Sequence, residues 1–226
     1  MSDMQKSYKY FNMLSVFFVS VLLISNIAST KIVSLGWFAF DGGTLLFPLS
    51  YIFGDILTEV YGYKKSREVI WLGFFSALMM SIIFIIVGKL PPALDWNNQA
   101  AYDAILGATP RIVIASLVAY TCGSFSNSFI LAKMKLWTKG AHLWARTVGS
   151  TVVGEFVDSS LFILIAFSGL MPTSMLVTLI VSNYVFKTLI EVIFTPLTYK
   201  VVNFLKKNEG EDYYDRDTNF NPFVFK

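Results

Sequence analysis

The sequence predicts an all-α integral membrane protein of six transmembrane helices with both termini in the cytoplasm. Three observations predict it. Of 226 residues, 55% are hydrophobic and only 15% charged, with a mean hydropathy of +0.59, whereas a soluble domain carries about a quarter charged residues. Six apolar stretches, at 10–30, 44–62, 68–88, 110–132, 147–168 and 173–200, approach the ~20 residues that cross a hydrocarbon core. Lysine and arginine are also partitioned between the connections. Lys6, Lys9, Lys64, Lys65, Arg67, Lys133, Lys135, Lys139, Arg146, Lys200, Lys206 and Lys207 fall on one side, and Lys31, Lys89 and Arg111 on the other. The richer side is the cytoplasmic one.

Each element can be justified in turn. The first stretch, Phe11 to Ala28, exceeds the roughly 7–15 residues of a signal-peptide core and is expected to be retained. Residues 31–43 (KIVSLGWFAFDGG) predict a hairpin-like link, and YKKSR at 63–67 a tight basic turn. After Pro91-Pro92, NQAAYDAILG predicts a short interfacial helix closed by Gly107. Residues 168–172 make a short uncharged turn, and Pro196 is expected to bend or end the last helix. Residues 1–205 thus form a transmembrane domain, and 206–226 a polar cytoplasmic tail expected to be ordered in part at most. Helices 2 and 5 carry the acidic pairs Asp55/Glu59 and Glu155/Asp158 and cross in opposite directions. That layout is compatible with two inverted three-helix repeats, although the sequence match between the halves is poor.

Several functions are disfavoured. A net charge of +3 without an aromatic-basic motif does not suggest a nucleic-acid partner. One cysteine, Cys122, expected to be a small packing residue, and one histidine, His142, leave little for metal or Ser-His chemistry, so no metal and no cofactor are expected. Gly149 and Gly154 have phosphate-loop spacing, but Glu155-Phe156 stands where Lys-Ser/Thr is required. Trp37, Trp71, Trp96, Trp137 and Trp144 lie near helix ends and suit interfacial anchoring.

The spanning stretches contain six charges: Asp55, Glu59, Glu155, Asp158, Lys187 and Glu191. Each costs at least ~2.5–3.5 kcal/mol at mid-membrane. At about 1.5 Å per residue from the cytoplasmic boundaries, Asp55, Glu155 and Glu191 lie roughly 12–14 Å deep, with Asp158 and Lys187 a turn further. Asn183, Lys187 and Glu191 share a helix face, and Tyr51, Asn127 and Asn26 add neutral polar groups. Helix-to-helix adhesion would account for one Asn or one ion pair. Five acids against one lysine instead suggest a hydrated binding site or ion path. Glu59, only about 6 Å from the boundary, has an alternative in snorkelling to the headgroups.

The chain resembles the queuosine precursor transporter family, also grouped as vitamin-uptake-like transporters. SNIASTK at 25–31, FPLSYIFGDILTEVYGY at 47–63, TPRIVIAS at 109–116, GEFVDSS at 154–160, YVFKTLIEVIFTP at 184–196 and DYYDRDTNFNPF at 212–223 carry the resemblance. It implies import of a 7-deazaguanine compound across the inner or plasma membrane: 7-cyano-7-deazaguanine, its aminomethyl derivative, or queuine. A carboxylate suits the N–H donors of such a ring, and Tyr51 or a nearby Phe suits its face. The expected substrate-binding set is Tyr51, Asp55, Glu59, Asn127, Glu155, Asp158, Asn183, Lys187 and Glu191. Expected partners are the small-molecule substrate and membrane lipid, with a homodimer left open. Alternating access is the expected mechanism. The alternative is a substrate-capture subunit of an energy-coupling-factor-type transporter that needs a partner ATPase. An enzyme is not expected: Gly54-Asp55 resembles half of an intramembrane aspartyl-protease motif, but Ile52 stands where a glycine is required.

Overall fold

A lipid-spanning chain must satisfy its backbone within each helix, and helices dominate the architecture. The computed structural model describes residues 8–35, 38–107 and 110–224; Lys6, Trp37 and Thr109 lie outside them. In order come α1 (Phe11–Ala28), β1 (Ile32–Leu35), β2 (Phe38–Asp41), a 3-10 turn (Gly42–Leu45), α2 (Phe47–Tyr61), α3 (Tyr63–Lys89), α4 (Gln99–Leu106), α5 (Pro110–Trp137), α6 (Leu143–Phe167) and α7 (Thr173–Glu209). The expected hairpin forms as β1 and β2, antiparallel with Leu35 opposite Phe38. The expected short helix forms as α4.

By length and composition α1, the α4–α5 segment, α3, α6 and α7 can each cross a membrane. Their outer faces are apolar and exposed, as at Val16, Phe17, Leu72, Phe75, Met79 and Ile193, the inverse of a soluble surface. Cys122 on α5 is exposed too, rather than packed inside. The remaining expected stretch, 44–62, differs. Its first residues form the 3-10 turn, and α2 is 15 residues long with 12 of them buried. It packs against α1, α3, α5 and α7. Leu14, Phe18 and Leu22 of α1, Ile56, Leu57 and Val60 of α2, and Ile70 of α3 share its apolar core. A helix apolar nearly all round is a buried one, and here it is sheathed by protein, which lets it carry charge.

YKKSR is not a turn. Gly62 alone separates α2 from α3, at φ +84° and ψ 168°, a region open to glycine and strained for other residues. A Cβ there would lie 2.2 Å from Tyr213 Cδ1. Tyr63 to Arg67 form the first turn of α3 instead, because Asp215 accepts the Tyr63 N–H at 3.0–3.1 Å and caps it. Asp215 belongs to the tail, which is tied down rather than partly ordered. Val60 O accepts from Tyr213 N at 3.2 Å. Arg67 donates to Asn219 O and Asn221 O at 3.0 and 2.8 Å, and Trp71 Nε1 to Pro222 O at 2.8 Å. Backbone carbonyls left over by an irregular segment thus find charged and indole donors on α3.

The last helix passes Pro196 and continues to Glu209, 37 residues in all, about 55 Å. Its final turns still bury Val202 and Leu205 in the core and then reach the segment before α1, where Tyr10 N donates to Glu209 Oε1 at 2.7 Å. Tyr61, the end of α5 and the start of α6 gather at the same end. At the other end Arg111 donates to Ile165 O and Ser168 O, both at 2.6 Å.

Candidate functional site

Two glycines set the closest helix crossing. A Cβ on Gly123 of α5 would lie 3.1 Å from Gly154 O, 2.8 Å from Asp158 Cβ and 2.5 Å from the Tyr51 hydroxyl; one on Gly154 of α6 would lie 2.8 Å from Asn127 Cβ. Without side chains here the two backbones approach, as small residues permit between membrane helices. Three stripes then converge: Tyr51 and Asp55 on α2, Thr151, Glu155 and Asp158 on α6, Lys187 and Glu191 on α7. Their spacings of three and four residues keep each stripe on one face.

Asn127 Nδ2 donates to Asp55 Oδ1 at 2.6 Å. The Asp55 carboxyl adjoins Ser150 and the Glu191 carboxyl, and Glu191 Oε1 accepts from the Thr151 hydroxyl. Lys187 Nζ is 2.7 Å from Asp158 Oδ2 and 3.3 Å from Glu155 Oε2, and stands 4.3 Å above the Phe47 ring. Tyr51, Asp55, Asn127, Glu155, Asp158 and Glu191 are all at most 3% exposed. Yet the Tyr51 hydroxyl, Asn127 Oδ1, Glu155 Oε1 and Ser159 Oγ have no hydrogen-bond partner among the described residues. Each such atom costs about 1–3 kcal/mol, so their clustering is a concentrated loss of stability. A cavity of ≈ 10 Å³, lined in part by Tyr51, Gly54, Ser124, Asn127 and Ser128, has room for about one water.

Glu59 is placed apart by its partners. Arg146 grips it with two bonds of 2.8 Å, from Nε to Oε2 and from Nη2 to Oε1. Lys206 Nζ is 2.5 Å from Oε1, and Lys135 Nζ is 3.5 Å from Oε1 while donating to Glu59 O at 2.5 Å. Asp212 of the tail closes the group, 2.6 Å from Lys135 and 2.8 Å from Lys206. Burial pushes the Asp212 carboxyl up, but hydrogen bonds and charge from those two lysines hold it below its usual range. Glu59 is fully buried and does not snorkel. Four acids rather than the expected five therefore stand against Lys187. Sequence reasoning assigned Arg146 and Lys135 to loops, whereas both are 1% exposed. The face Arg146, Thr147, Ser150, Thr151, Gly154, Glu155, Asp158 of α6 is a continuous small-or-polar stripe, and it could have drawn Arg146 inward. Asn183 is half-buried one turn from Lys187, outside the hydrogen bonds and ion pairs of the cluster.

Residues 41–201 match the family described as "Putative vitamin uptake transporter". The chain belongs to this family. The match spans all nine expected site residues. A "Probable queuosine precursor transporter" of Bacillus subtilis (strain 168) is 26% identical over 186 residues, covering 82% of this chain and 81% of that protein. The "Queuosine precursor transporter" of Escherichia coli (strain K12) is 25% identical over 205 residues, 88% and 90% of the two chains. A "Probable queuosine precursor transporter" of Haemophilus influenzae is 26% identical over 158 residues, 68% and 63%. The resemblance carried by the sequence blocks is thereby shown. No solved structure matches the chain.

Proposed function

We propose that this protein is a membrane transporter that imports a queuosine precursor, a 7-deazaguanine compound, by alternating access. The carrying observation is the group of buried polar atoms without protein partners between α2, α5 and α6, in a family whose named relatives handle such precursors. Carboxylate oxygens accept, and an amino-pyrimidinone edge supplies the N–H groups they lack. The Tyr51 hydroxyl can donate to a ring carbonyl. The closed cavity belongs to a state between openings, and the Glu59–Arg146–Lys135–Lys206 group seals its lysine-rich end, which on the charge rule faces the cytoplasm with both termini.

The test is titration of the purified protein with 7-cyano-7-deazaguanine, its aminomethyl derivative, queuine and 7-deazaadenine, followed by uptake into sealed vesicles holding this protein alone. Guanine-like rings are expected to bind and accumulate, and the adenine-like ring to fail. A site built on hydrogen-bond acceptors rejects the wrong edge strongly. Binding without uptake would favour the capture-subunit reading, and equal binding of both ring types would overturn carboxylate recognition.

A further inference from the structure

Lys187 does not simply neutralise an acid. Its ammonium lies between two carboxylates, 2.7 Å from Asp158 and 3.3 Å from Glu155, with the Phe47 ring face 4.3 Å away. Two carboxylates and an aromatic face around a nitrogen make the surroundings of a bound alkylammonium, which has three donors and no acceptor. One cation leaves the pair of acids underneutralised, and Glu155 Oε1 has no hydrogen-bond partner while fully buried. Lys187 is also the most accessible member, its side chain 13% exposed against 5% for Asp158 and 0% for Glu155. A flexible four-carbon stem lets a lysine withdraw.

We infer that Asp158, Glu155 and Phe47 form a primary-ammonium subsite, which Lys187 fills in the closed state and from which a ligand's own amine displaces it. The inference rests on the transport reading above and adds to it a place for the protonated side-chain amine that some of these ligands carry. The subsite adjoins the ring site. The Phe47 and Tyr51 ring centroids are 5.9 Å apart, and the place a Cβ on Gly123 would take lies 2.5 Å from the Tyr51 hydroxyl and 2.8 Å from Asp158 Cβ. A single small ligand therefore reaches both. Displacement also cuts the ion pairs that join α7 to α6, so an amine-bearing ligand releases a contact that a nitrile-bearing one leaves intact.

The experiment is calorimetric titration of the full-length protein and of Asp158→Asn, Phe47→Leu and Lys187→Met with 7-aminomethyl-7-deazaguanine and 7-cyano-7-deazaguanine. The readout is the ratio of the two affinities. Asp158→Asn is expected to shift that ratio against the amine by about tenfold or more, and Phe47→Leu by a smaller factor of about two to ten. Lys187→Met, which removes the tethered competitor, is expected to shift it towards the amine. If Lys187→Met fails to fold, the other two variants decide. An unchanged ratio in Asp158→Asn and Phe47→Leu, with both ligands binding the wild type, would overturn the subsite alone. Failure of both ligands to bind the wild type would remove the transport reading and the subsite with it.

Discussion

Asp55 and Glu59 stand one turn apart on α2, yet Asp55 accepts from neutral Asn127 while Glu59 is gripped by Arg146 and Lys206 with Lys135 alongside. Removing one partner of a buried ion pair costs about 3–5 kcal/mol, because the opposing charges are left uncompensated. Glu59→Gln is accordingly expected to destabilise by about that amount, read as thermal unfolding in detergent, with ligand affinity per folded molecule retained. Asp55→Asn, Glu155→Gln and Glu191→Gln are expected to stay monodisperse while losing affinity by about tenfold or more, since a ligand donor loses a charged acceptor. Equal destabilisation in all four variants would erase the distinction. That Asp55, Glu155 and Glu191 come near one another was readable in the sequence because helical rise is constant. The fate of Glu59 was not, since it depends on cations from three other elements.

The crossing of α5 and α6 rests on the absence of two methyl groups. Gly154→Ala would push its Cβ to 2.8 Å from Asn127 Cβ and 3.1 Å from Gly123 O. Backbone cannot yield there without parting the helices, an overpacking cost of about 1–3 kcal/mol. A lowered unfolding temperature and weakened ligand binding are expected together. Gly149→Ala is the control: its Cβ meets the flexible end of Met134 at 3.0 Å, so both measurements are expected to change little. The long helices were legible because lipid demands long apolar runs. The α2–α3 boundary was not, because the cap on Tyr63 comes from Asp215, 152 residues away. Local sequence there shows only a basic cluster, which reads as a loop.

For the molecule as a whole, the lysine-rich end and its opposite can be told apart by labelling. In a Cys122→Ser background, cysteines at the exposed positions Lys64 and Lys139 are expected to react only from the cytoplasm, and one at Ala100 only from outside. External labelling at Lys64 would reverse the orientation. Tail docking carries its own pH signature. The Asp212 carboxyl is held below its usual range, so its contribution is complete above the unfolded value of ~3.9 and is lost as pH falls through the lower folded one. Asp215, raised by burial against bonds from Thr218 and Tyr63 N–H, has the opposite sign: its ionised form costs stability, and acid relieves that cost. Hydrogen exchange at 212–222, corrected for intrinsic rate, is expected to show Asp212's share of the docking undiminished between roughly pH 5 and pH 8. Asp212→Asn is expected to raise that exchange throughout the same range.

The docked tail also bears on how the chain is made. Val60, Tyr63, Arg67, Trp71 and Lys135 leave the ribosome well before residues 213–222, whose groups they bond. Until those residues emerge, the amide that opens α3 lacks its cap, and Arg67, Lys135 and Trp71 lack the tail carbonyls they bond in the folded protein. A nascent chain stopped after Glu209 therefore presents unpaired basic groups where a chain that carries residues 212–222 has paired ones. In a pulse-chase experiment such a chain is expected to insert normally but to be degraded faster than one that carries residues 212–222, which would make the docking of this segment a property readable by membrane proteases.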